Sequence, residues 1–276
     1  MSIFNAIILG LIQGVAEFLP ISSSGHLSIM QNLFGLTVAD ESHMFFDVLL
    51  HLGTLVSICL VYRQDILDIF NDCVTLVTTS DQKLREKSRL GARQALMLVI
   101  STVPLVLVLP FYDMIEELNS HTVYIGMILI LTGCLLFVSD KFLPGKKNGK
   151  NITVLDALII GLCQCVATLP GLSRSATTIT AALCCGVDRE YAVKYSFLLS
   201  IPAVLGANIV SFVKMFSYGF DVTNLPAYLI GTAVAMVAGV LSIGALQLIA
   251  KQGAFGKFRY YCWGAGFISI ILTAIL

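Results

Sequence analysis

The chain is short of charge. Of its 276 residues only 12% are Asp, Glu, Lys or Arg, while 57% are hydrophobic. A soluble domain carries roughly 25% charged and 45–50% apolar residues. One soluble core cannot sequester this much apolar surface, so a bilayer is the natural solvent. Basic and acidic residues balance at 17 each, and a net charge of zero leaves no basic face for nucleic acid. No Lys or Arg precedes Arg63. The N-terminus therefore lacks the basic region of a cleavable signal peptide, and the mature chain is expected to begin near Met1. The eight cysteines form no CxxC pair and no Cys/His zinc spacing. Most lie in apolar runs, where cysteine acts as a small hydrophobe, so no disulfide framework is expected.

What is there is a series of apolar runs between basic clusters. The clearest are 45–62, 95–112, 122–140, 190–213, 225–248 and 259–276, each near the ~20 residues that cross ~30 Å of hydrocarbon. The positive-inside rule assigns loops 63–93, 141–152 and 249–258 to the cytoplasm. The loop with Asp113, Glu116 and Glu117 then faces outside, as does 214–224. Two further segments, 3–36 and 154–186, are apolar but interrupted by Pro, Gly and Ser. Their halves are too short to cross alone. Both read as re-entrant hairpins, the first with its ends outside and the second with its ends inside. Irregular backbone at membrane depth survives only where protein or a wet cavity satisfies its polar groups. The expected fold is an all-α integral membrane protein, with six full spans and two hairpins.

The two broken segments resemble each other. Gly10-Leu-Ile-Gln13-Gly-Val15-Ala16 matches Gly161-Leu-Cys-Gln164-Cys-Val166-Ala167 at a constant offset of 151. Without a gap, Ser22 and Ser24 fall on Ser173 and Ser175, and Ser23 falls on Arg174. Each half, 1–140 and 153–276, is one hairpin followed by three spans, joined by a basic linker 141–152. Three is odd, so the second half is inverted in the membrane, with broken helices meeting near the midplane as in many transporters.

The first break, Pro20-Ile-Ser-Ser-Ser-Gly-His26, is flanked by Gln13 and Glu17, which are four apart and share one helix face. Glu17 is the only acidic residue before Asp40. A carboxylate at membrane depth is a functional hypothesis by default; the alternative is a Glu snorkelling to the interface. The serines could be plain helix caps, though three in a row followed by Gly-His ask for more. The second break, Pro170-Gly-Leu-Ser-Arg-Ser175, holds Arg174, the one charge between Ala157 and Val187, followed by Thr177 and Thr178. The guanidinium fork suits phosphate; the alternative is a structural pair with Glu17. Both breaks lead into helix N-termini, which bind anions through free N–H groups. Two such ends, an arginine and a set of hydroxyls make a diphosphate cradle. His26 can also be an uncharged hydrogen-bonding residue. His43 and His51 are weaker candidates, and Asp47 reads as a helix-start residue.

At these residues the sequence resembles the undecaprenyl-diphosphatase family, also called the bacitracin-resistance protein family. One signature is Gln13-Gly-Val-Ala-Glu17-Phe-Leu-Pro20-Ile-Ser22-Ser23-Ser24-Gly25-His26. The other is Pro170-Gly171-Leu-Ser173-Arg174-Ser175-Ala176-Thr-Thr178. Supporting stretches run from Phe46-Asp47 to Thr54 and from Ser196 to Pro202. Gln13 stands where Glu is more familiar, and Ala176 where Gly is usual.

The resemblance implies hydrolysis of undecaprenyl diphosphate to the monophosphate in the bacterial plasma membrane. The site would face the outer side, recycling the lipid carrier for cell-wall synthesis and conferring bacitracin resistance. It implies a divalent cation, Mg²⁺ or Ca²⁺, for which Glu17 and Gln13 are the candidate ligands. The nucleophile it implies matches Ser23, with Arg174 holding phosphate. Ser22, Ser24, Ser173, Ser175 and Thr178 are the further phosphate-binding candidates. A serine hydroxyl needs a base, and Glu17 and His26 both qualify. The partners implied are the polyprenyl diphosphate and membrane lipid, with monomer or homodimer left open. Acid-phosphatase-like lipid phosphatases share the Ser-Gly-His of residues 24–26, but they have a nucleophilic His where this chain has Thr180. A transporter or flippase of a lipid phosphate or other anion is the remaining alternative.

Overall fold

The computed structural model describes residues 1–36, 41–141, 145–216 and 224–275. Most of the expected outer loop 214–224, part of the linker 141–152 and the side chain of His43 lie outside the described residues. Twelve α-helices run in order among the described residues: α1 (Ile3–Ala16), α2 (Ser23–Leu33), α3 (Glu41–Val61), α4 (Arg63–Thr78), α5 (Gln82–Thr102), α6 (Tyr112–Leu118), α7 (Thr122–Ser139), α8 (Val154–Val166), α9 (Arg174–Cys184), α10 (Arg189–Phe216), α11 (Leu225–Lys251) and α12 (Phe258–Ile275).

By length and composition five helical segments can cross a membrane: Met44–Val61, Gln82–Leu118, Thr122–Ser139, Arg189–Lys214 and Leu225–Lys251. The chain is a multi-pass, all-α membrane protein. The sixth expected span, 259–276, is helical as α12 but is not among the five, and Leu276 lies outside the described residues. The span expected at 95–112 is part of a longer helical segment. It starts in the expected loop 63–93, which folds as an α4–α5 helical hairpin. Between α5 and α6 the chain tightens to a 3-10 helix at Val103–Phe111, which contains Pro104 and Pro110. Proline lacks the N–H of the α-helical ladder and clashes with the preceding turn.

Both broken segments fold as helix–turn–helix hairpins, α1 against α2 and α8 against α9. At 14, 11, 13 and 11 residues these helices are roughly 16–21 Å long at 1.5 Å per residue, short of the hydrocarbon thickness. Side-chain caps set their starts. Ser2 Oγ accepts from the Asn5 amide at 3.1 Å, and Thr153 and Asp156 form a reciprocal capping box on α8. Adding 151 to the bounds of α2 gives those of α9, and α1 maps on α8 to within one residue. Packing is reciprocal as well. The first helix of each hairpin lies on the second long segment of the other half, α1 on α11 and α8 on α5 with its 3-10 extension. Small residues permit the first of these contacts: a Cβ on Gly10 would sit 2.3 Å from the Gly231 carbonyl oxygen.

Polar contacts sort the loops to two ends. At one end Arg93 donates to the Ile152 carbonyl at 2.6 Å, Lys251 meets Glu190 at 3.7 Å, and Arg259 pairs with Asp140. At the other, Lys214 pairs with Asp113 and Glu116, and the amino group of Met1 donates to Asn224 at 2.9 Å. The loops expected to be basic and cytoplasmic thus lie together. The eight cysteines are all free thiols.

Candidate active site

The two hairpin turns meet inside the bundle. A Cβ on Gly25 would lie 3.2 Å from the Gly171 Cα, so the first turn of α2 touches the second break. Gly171 has φ +90°, a region open to glycine and strained for other residues. Its carbonyl accepts from Thr132 of α7 at 3.0 Å, and the Ser173 amide donates back to Thr132 Oγ1 at 3.2 Å. Ala176, where glycine was the more familiar residue, is fully buried within α9, so its methyl is accommodated.

Glu17 sits just past the end of α1 and is buried. Its Oε1 accepts from Arg174, 157 positions along the chain. Its Oε2 accepts from Ser23 Oγ at 2.6 Å and from Gln13 Nε2 at 3.1 Å. The carboxylate therefore joins three of the expected site residues. Removing Arg174 outright leaves a buried charge without its partner, which typically costs about 3–5 kcal/mol. The arrangement is also what a hydroxyl nucleophile needs, a base within 2.6–3.2 Å. Gln13 is fully buried and its Oε1 has no hydrogen-bond partner.

The remaining expected residues frame this centre. Ser22 caps α2, accepting from the Gly25 amide at 3.3 Å, and its Oγ lies 3.4 Å from that of Ser24. Ser22 has φ +71°, the only positive φ outside glycine among the described residues. Strain of this kind gathers at functional sites. Ser173 caps α9 through the Ala176 amide at 3.2 Å, and its Oγ lies 3.1 Å from that of Ser175. The first amides of both helices have no acceptor within their own helix, so two positive helix ends border the Glu17–Arg174 pair. Thr178 differs from expectation. Its hydroxyl lies 2.9 Å from the Arg174 carbonyl and 2.6 Å from Ser196 Oγ. It steadies the first turn of α9 and has no proton left for a phosphate. His26 does not join Ser23 or Glu17; it bonds the Ser22 carbonyl and Tyr261.

Several polar residues near the site were ranked low or passed over in the sequence. Asp47, read as a helix-start residue, lies inside α3 and accepts from Gln31 of α2 at 2.8 Å. His51, one turn on, bonds the Asp47 carbonyl at 2.8 Å. Polar groups at mid-span were the available signal for Asp47, His51, Thr132 and Ser196. Nothing local marks Tyr261.

Residues 6–268 match the family described as bacitracin resistance protein BacA. The chain belongs to that family. Among curated proteins, this BacA-family chain is 39% identical to the undecaprenyl-diphosphatase of Desulforapulum autotrophicum over 98% of both chains. It is 37% identical to the undecaprenyl-diphosphatase of Methanosphaera stadtmanae over the whole of both. It is likewise 37% identical to that of Carboxydothermus hydrogenoformans over 99% of this chain and 98% of the other. Both signatures lie inside the matched BacA region.

Proposed function

We propose that this BacA-family chain hydrolyses undecaprenyl diphosphate to undecaprenyl phosphate and inorganic phosphate, with Ser23 as nucleophile. One observation carries the mechanism: Glu17 accepts from both Ser23 and Arg174, so one carboxylate ties a hydroxyl on the first hairpin to a guanidinium on the second. The substrate follows from the names of the relatives.

Arg174 uses one nitrogen on Glu17, which leaves other donors of its five for the diphosphate. Ser23 Oγ attacks the terminal phosphorus and Glu17 takes its proton. The bond from that phosphorus to the bridging oxygen breaks, and the lipid monophosphate leaves with the electron pair. Water then attacks phospho-Ser23. His26, at i+3 from Ser23 and on the same side of α2, accepts the proton of that water at Nε2. Glu17 returns its proton to Ser23 Oγ as phosphate departs. Ser22, Ser24, Ser173 and Ser175 hydrogen-bond the phosphate oxygens with the amides of the two helix ends.

The unpartnered Gln13 Oε1 beside the Glu17 carboxylate fits a hard, oxygen-seeking cation. Among the described residues no group of three or more His, Cys, Asp or Glu could cage one, so Gln13 and Glu17 are the residues that would hold it. Mg²⁺ or Ca²⁺ held there supplies charge neutralisation on the diphosphate. The site is read as opening to the outer face of the bacterial plasma membrane, with the second half of the chain inverted relative to the first. Cysteine labelling on a Cys-depleted background tests that orientation: position 85 should label from the cytoplasm and position 116 from outside, and labelling of both from one side would overturn it.

The deciding assay is phosphate release from a polyprenyl diphosphate by the purified protein with and without chelator. Release that stops with chelator and returns with Mg²⁺ or Ca²⁺ is expected. No release under any metal would remove hydrolysis from the reading.

A further inference from the structure

His26 lies three residues after Ser23 in the first turn of α2, with both ring nitrogens engaged. Nδ1 is 2.7 Å from the Ser22 carbonyl oxygen. A carbonyl only accepts, so Nδ1 carries the proton. In a neutral imidazole Nε2 is then an acceptor. It lies 2.8 Å from the Tyr261 hydroxyl, 235 positions away, which therefore donates to it. The two rings are nearly parallel, 15° between planes and 5.6 Å between centroids. Tyr261 is in the first turn of α12, and the neighbouring Cys262 Sγ lies 3.6 Å from the Pro20 carbonyl oxygen. The start of α12 thus braces the first hairpin turn at two successive residues.

We infer that Tyr261 is a positioning residue for hydrolysis. With the Ser22 carbonyl at Nδ1, the Tyr261 hydroxyl at Nε2 clamps the His26 imidazole at both nitrogens, in the tautomer whose Nε2 carries no proton. This rests on the reading of His26 as the base for the water step. A charged imidazolium would have no lone pair for that water. Without the phenol the ring is held only at Nδ1 and turns more freely about its bonds. When water enters, it takes the place of the phenol on an Nε2 that already lacks a proton.

Three variants test this: Tyr261→Phe keeps the ring stack and removes the donor, His26→Gln removes the imidazole, and the double variant combines them. Steady-state hydrolysis is measured with purified protein in detergent, and folding is followed by thermal melting. Tyr261→Phe should lower kcat by roughly five- to tenfold, the worth of about one hydrogen bond, with KM within about twofold and an unchanged melting curve. In the His26→Gln background the same substitution should have no further effect, because Tyr261 acts through His26. A wild-type kcat in Tyr261→Phe, or an equal loss in both backgrounds, would overturn the inference. Nitrogen-15 shifts of His26, one of four histidines, give a readout independent of turnover. They should report the Nδ1-protonated ring in the wild type and a weakened Nε2 hydrogen bond in Tyr261→Phe. Those shifts failing would count against Tyr261 even in an active enzyme. Absence of wild-type phosphate release with the expected shifts would count against hydrolysis instead.

Discussion

The two hairpins are built on one pattern and differ in what they carry. Each has a 13- or 14-residue helix, a broken turn, and an 11-residue helix capped by serine. Each keeps a buried glutamine at the matched position, Gln13 and Gln164. In the first hairpin the glutamine donates to Glu17. In the second both amide atoms of Gln164 are buried without a partner, and Thr168 stands where Glu17 would. The capping serines differ too: Ser22 has φ +71° and Ser173 φ −72°. The first hairpin holds the carboxylate, the hydroxyl and the strained backbone. The second contributes Arg174 from relaxed helical geometry. Under the proposed function the first hairpin reacts and the second binds charge.

Substitutions at matched positions can break this comparison. The largest effect is expected at Ser23 and its equivalent Arg174. Ser23→Ala should remove nearly all turnover, since Glu17 then has no hydroxyl to activate; robust turnover would make water the direct attacker. Arg174→Lys keeps the charge and loses the fork, and should cost about 10²–10³ in rate, the range for one transition-state donor. Near-normal activity would make the Arg174–Glu17 pair structural only.

A middle-sized effect separates the glutamines. Gln13→Leu should lower hydrolysis and weaken its dependence on added metal, because it removes a donor to Glu17 and a free carbonyl oxygen. Gln164→Leu should leave kcat unchanged and raise the melting temperature, because an unpartnered buried amide costs about 1–3 kcal/mol. Equal losses of activity would show that both hairpins share the chemistry.

The smallest effect separates the caps. Ser173→Ala should destabilise by about 1 kcal/mol, the usual worth of a cap, read as a small drop in melting temperature. Ser22→Gly loses a cap as well, but glycine accepts the positive φ, so its melting temperature should fall less. Activity of Ser22→Gly should drop while a measurable fraction remains. A larger stability loss at Ser22 than at Ser173 would mean that its φ carries no strain.

The amino-acid order alone determined five of the six expected spans and both hairpins, but not the helical hairpin inside the expected loop 63–93. Long apolar runs have no stable state in water, and a helix satisfies its own backbone within a bilayer, so the spans followed from hydropathy. Pro20 and Pro170 with their adjacent Ser and Gly marked the breaks, because backbone restrictions are local. The repeat was legible because matched residues needed only counting, and the coincidence of α2 with α9 follows from it. Pairings depended on tertiary structure. Arg174 reaches Glu17 across 157 positions and Tyr261 reaches His26 across 235, contacts that exist only once the halves pack on each other. Asp47 carried a helix-start signature, and only the tertiary fold brought Gln31 of α2 to it. Thr178 belonged by sequence to the phosphate cradle, and the helix around it directed its hydroxyl to Arg174 and Ser196 instead. Periodicity and composition say which face a residue occupies; which partner waits there depends on how the helices cross.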